Sequence, residues 1–71
     1  MVHFTTPLIE AATEGHNQVV ELLLTKGADP NFTSKYTGTP LTEAAKKGHH
    51  LVVELLLSKG ANPNITNKMS T

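Results

Sequence analysis

Two stretches of this chain are near copies, and their offset decides what the chain can build. Residues 6–31 read TPLIEAATEGHNQVVELLLTKGADPN, and residues 39–64 read TPLTEAAKKGHHLVVELLLSKGANPN. The offset is 33 residues, and 21 of 33 positions match between residues 6–38 and 39–71. A fixed period of that size points to a stacked array of supersecondary units, each resting on its neighbour, and not to one closed fold.

The chain has 71 residues, enough for at most one small domain. A domain of this size buries only about 60% of its unfolded surface, so burial alone leaves it marginal. Small chains are often rescued by disulfides or metals. Cysteine is absent, which excludes disulfides and thiolate metal sites and fits a reducing compartment. Six basic and six acidic residues balance, so no basic excess favours a phosphate backbone and nucleic acid is not expected as a partner. The longest nearly continuous apolar run, Val52 to Leu57, is broken by Glu54 and falls far short of the ~20 residues of a membrane span. The first residues, MVHFTTPL, carry neither the positive region nor the apolar core of a signal peptide. These points give the expectation of an intracellular protein, cytoplasmic or nuclear.

Thr6-Pro7 and Thr39-Pro40 each read as a helix start. Threonine can cap the helix, and proline at the first helical position gives up a donor that would be unpaired anyway. A first helix is expected over residues 7–14 and again over 40–47. Leu8, Ala11 and Ala12 face inward in the first copy, and Leu41, Ala44 and Ala45 in the second. Gly15 and Gly48 end these helices, as befits a residue that adopts left-handed geometry. A second helix follows over residues 17–25 and 50–58. Asn17 is a good cap candidate there, and its counterpart His50 a poor one. This helix is apolar nearly all round, so more than one neighbour must cover it. Glu21 and Glu54 are expected to point to solvent. Ala-Asp-Pro-Asn and Ala-Asn-Pro-Asn then supply turn chemistry. Residues 32–38 read as a short hairpin-like excursion. Residues 65–71 begin a second such excursion and are expected to be loose beyond about Asn67.

The pattern TPLxEAAxxGHxxVVELLLxKGAxPN, present twice, closely resembles the ankyrin repeat. The TPL start, the GH turn, the VVELLL helix and the GA[DN] turn match in order and spacing over nearly the whole chain. The resemblance implies an all-α solenoid of two stacked helix–turn–helix repeats, about residues 6–38 and 39–71, joined by a hairpin-like loop. It also implies a protein partner bound on the concave face and the loop. By position, the partner-binding residues are Ile9, Glu10, Thr13 and Glu14 on the first helix, Thr42, Glu43, Lys46 and Lys47 on its copy, and Lys35, Tyr36 and Gly38 in the loop. Three departures stand out. The family's histidine after TPL is replaced by Ile9, which cannot bond the threonine, and by Thr42, which can do so weakly. Ser34 and Thr37 stand at the family's aspartate and glycine positions in the loop, with glycine displaced to Gly38. Only two repeats are present, without polar terminal caps, where at least three are usual. A fragment of a longer array, a designed minimal scaffold and a self-associating subunit all fit the sequence.

Other chemistry is weak. His16 and His49 occupy the family's turn-packing position. His49-His50 lacks the i, i+4 spacing that puts two metal ligands on one helical face. Ser34, Ser58 and Ser70 lack the setting of a nucleophile. Glu10 and Glu43 could face one another across neighbouring helices, but nothing supplies a sugar cleft between them. No enzyme, cofactor or metal is therefore expected. Tyr36 reads equally as an interface anchor and as a residue packing on a neighbouring loop.

Overall fold

The structure is a computed structural model and describes residues 5–34 and 36–64. It contains four helices: α1 (Pro7–Glu14), α2 (Asn17–Thr25), α3 (Pro40–Lys46) and α4 (His50–Ser58). The expectations for residues 65–71 and for Lys35 lie outside the described residues.

Both first helices start as their sequence dictates. Thr6 and Thr39 have extended backbones, and their side-chain oxygens accept the N–H of Ile9 and Thr42. Each bond removes one of the unpaired donors at a helix N-terminus. Pro7 and Pro40 follow at the first helical position. Gly15 stops α1 at φ 77°, and His16 N–H then closes back on the Ala11 carbonyl at 3.0 Å. Gly48 does the same after α3, with His49 N–H on the Ala44 carbonyl at 2.9 Å. α3 ends one residue earlier than expected, with Lys47 as its cap.

Asn17 is not a cap. It is already helical, and His16 is the flanking residue, at ψ 86° and without a side-chain cap bond. His49 stands likewise before α4. The turn at Gly15 leaves only one non-helical residue before α2 resumes, and that residue is the histidine.

α1 packs on α2 and α3, and α4 packs on α2 and α3. Two helical hairpins thus stand side by side and share one apolar cluster. Residues on the facing surfaces include Ala12, Val20 and Leu24 from the first repeat and Val52 and Leu56 from the second. Identical residues at equivalent positions differ sharply in burial. Leu24 is 8% exposed and Leu57, its copy, 42%. Val52 is fully buried, and Val19 is 46% exposed. Each repeat therefore has one covered and one uncovered flank.

The same asymmetry corrects one inward assignment. Ala12 is fully buried because α3 lies against it, whereas Ala45 is exposed because no described helix follows α3. Glu21 and Glu54 are solvent-exposed, as expected. The excursion at residues 32–38 contains no strand among its described residues. It is a bend built on side chains. Ser34 Oγ, which is buried, accepts the Tyr36 N–H at 3.3 Å and the Thr37 hydroxyl at 3.0 Å.

Candidate protein-interaction surface

The loop is fixed to α3 at its base. Gly38 N–H donates to the Glu43 carboxylate at 3.1 Å, and Lys46 Nζ lies 3.7 Å from the same oxygen. A Cβ at Gly38 would collide with the Thr42 hydroxyl, so this close approach needs glycine. That hydroxyl donates to the Thr39 carbonyl at 2.9 Å and sits 3.3 Å from Thr39 Oγ1. Thr42 thus performs the bond to the capping threonine that Ile9 cannot make.

A second tie crosses between repeats. Asn31 Nδ2 donates to the Gly60 carbonyl at 3.3 Å, and Asn62 N–H donates to Asn31 Oδ1 at 2.7 Å. Its backbone is set by Asp29, whose carboxylate accepts Asn31 N–H at 2.9 Å. The sequence reading missed this bridge. The available signal was an asparagine repeated after proline, Asn31 and Asn64, in both copies.

The residues singled out from the sequence separate into two groups. Glu10, Glu14, Lys46 and Lys47 are exposed along the neighbouring helices α1 and α3. Tyr36 is 61% exposed in the loop leading to them. Ile9, in contrast, is 2% exposed and offers no side chain to a partner. Burial removes its side chain from the surface set. Gly38 is buried as well. Thr42 and Glu43 are half-buried, and their polar atoms are engaged within the chain. Thr13 is half-buried and donates its hydroxyl to the Ile9 carbonyl at 2.7 Å. Glu14 lies 3.2 Å from His16 Nε2 on the surface.

Charge on this face is divided. α1 presents Glu10 and Glu14, and the end of α3 and its cap present Lys46 and Lys47. Glu14 and Lys47 are equivalent positions of opposite sign. Among the described residues, no group of three or more histidines or acids could hold a metal ion, and no helix is long and apolar enough to cross a membrane.

Paired helices, the first of each pair proline-started and glycine-stopped, recurring at a 33-residue period, define a helical repeat protein. The sequence profile described as Ankyrin repeats (3 copies) matches residues 3–67, and the chain belongs to the ankyrin repeat family. Proteins of this family are generally protein–protein interaction modules. No curated protein matches the chain.

Proposed function

We propose that the chain binds a protein partner through the face formed by α1, α3 and the loop between the repeats. The observation that carries this reading is the exposure of Glu10, Glu14, Lys46 and Lys47 along the packed first helices of the two repeats, with Tyr36 exposed in the loop that joins the repeats. An aromatic anchor flanked by both signs of charge suits a polar protein surface with complementary patches. The backbone of packed helices is already ordered, so binding has only exposed side chains left to order. An intracellular setting accords with the absence of cysteine.

The test is affinity capture followed by mass spectrometry. A combined Tyr36→Ala, Lys46→Ala and Lys47→Ala variant is compared with a Glu21→Ala and Glu54→Ala control on helices α2 and α4. Partners should be lost with the first and kept with the second. Equal capture by both variants would place binding elsewhere.

A further inference from the structure

We propose that a second copy of this chain docks end to end on the first, so that the second repeat of one copy receives the first repeat of the next. The joint between the two repeats within the chain is the template. Each of its parts recurs as an unmatched half at the two ends.

The apolar part comes first. Inside the chain, Val20 and Leu24 on α2 and Val52 and Leu56 on α4 meet in one buried cluster. At the far end of the second repeat, Val53 and Leu57 repeat the α2 half and are uncovered to different degrees. At the near end of the first repeat, Val19 and Leu23 repeat the α4 half. An apolar groove of about 300 Å³ opens there, lined in part by Pro7, Leu23 and Ala28. The corresponding residues of the second repeat, Pro40, Leu56 and Ala61, are all buried. What covers them is the first repeat. The second repeat of another molecule carries the same valine and leucine, Val53 and Leu57, at the equivalent positions.

Two specific contacts repeat with it. The His49 ring lies directly over Gly15, where an added Cβ would come within 2.7 Å of Nδ1. Gly48 has the same φ of 77° and no atom within 4 Å of an added Cβ, while His16 is exposed at the opposite end. His16 of an incoming copy fits over Gly48. The Asn31 bridge to Gly60 and Asn62 recurs as Asn64 at one end and Gly27 with Asp29 at the other, all exposed. Charge also agrees, because Lys47 of one copy is set beside Glu14 of the next.

The two surfaces differ, so the joint is heterologous and leaves one open end on each pair. It is weaker than the joint within the chain, because the second repeat carries the polar Thr42 at the position where the first has the apolar, buried Ile9. Association is therefore reversible and concentration-dependent.

The experiment is sedimentation velocity of the whole chain from about 1 µM to about 1 mM, a range that brackets weak affinities. The mean mass should rise with concentration and pass that of two copies. Val19→Glu disables one face and Leu57→Glu the other. Each variant alone should remain a single chain, and an equimolar mixture should form pairs and stop there. Circular dichroism verifies that both stay helical, as their exposed positions allow. Asn64→Ala should weaken self-association about 2- to 10-fold, the loss of hydrogen bonds at the joint, without moving the urea midpoint of the dilute chain. That arm does not depend on the glutamate variants. A wild-type chain that stays single at the highest concentration overturns the proposal. So does self-pairing of either glutamate variant alone, which would mean like faces meet, or a helical mixture that fails to pair.

Discussion

The backbone N–H of Gly38 donates to the carboxylate of Glu43, five residues on and inside the next helix. This bond closes the loop onto the first turn of α3, at the end where the helix dipole favours negative charge. Glu10, the equivalent residue of α1, is exposed. Glu43→Ala should lower stability by about 1.5–3 kcal/mol, the range for a hydrogen bond to a charged group. Glu10→Ala should stay within about 0.5 kcal/mol, as surface changes do. Urea melts of the two variants give the comparison.

Leu56 is fully buried, and Leu23, the same residue one period earlier, is only half-buried. Leu56→Ala should cost about 2–5 kcal/mol through lost burial and the cavity left behind. Leu23→Ala should cost about 1–2 kcal/mol, in proportion to the smaller apolar area it covers. Chemical denaturation at low protein concentration measures both. Equal losses would contradict the assignment of covered and uncovered flanks.

Ala12 sits between α1 and α3 with no exposed surface, whereas Ala45 faces out. Ala12→Leu should push the helices apart and cost about 1–3 kcal/mol. Ala45→Leu should change stability by no more than about 0.5 kcal/mol. Thermal melts of the pair separate the two environments without altering charge.

Gly15 and Gly48 share a left-handed backbone but not a neighbour. Alanine at Gly48 should cost about 1–2 kcal/mol from backbone geometry alone. At Gly15 the added methyl also meets the His49 ring. Gly15→Ala should therefore be the more destabilising, and Gly15→Ala combined with His49→Ala should be less than additive. A double-mutant cycle by urea unfolding tests this. Equal costs at both glycines would deny the ring its contact.

Most helix limits were legible because proline and glycine punctuate them. Thr6-Pro7 and Thr39-Pro40 mark the starts, and Gly15 and Gly48 the stops. The replacement of the family's histidine by Thr42 was also readable as a change of hydrogen-bond partner, and the hydroxyl does bond Thr39. Periodicity fails where neighbours decide. It treats Ala12 and Ala45 as one position, yet only one has a helix against it. The family resemblance likewise put Ile9 among the partner-binding positions, although an isoleucine gains more by burial and is 2% exposed. The Gly38–Glu43 bond joins a loop backbone group to a helix side chain, a meeting that no short pattern encodes. The Asn31 bridge left one trace, the asparagine repeated after proline in both copies.

Leu24 and Leu57 are the same letter in the same register, one enclosed and one open. Redundancy in the text is thus not redundancy in tolerance. A saturation library should find codon 24 unforgiving and codon 57 permissive whenever the chain is scored alone. Scored for assembly instead, the second leucine should become as intolerant of change as the first.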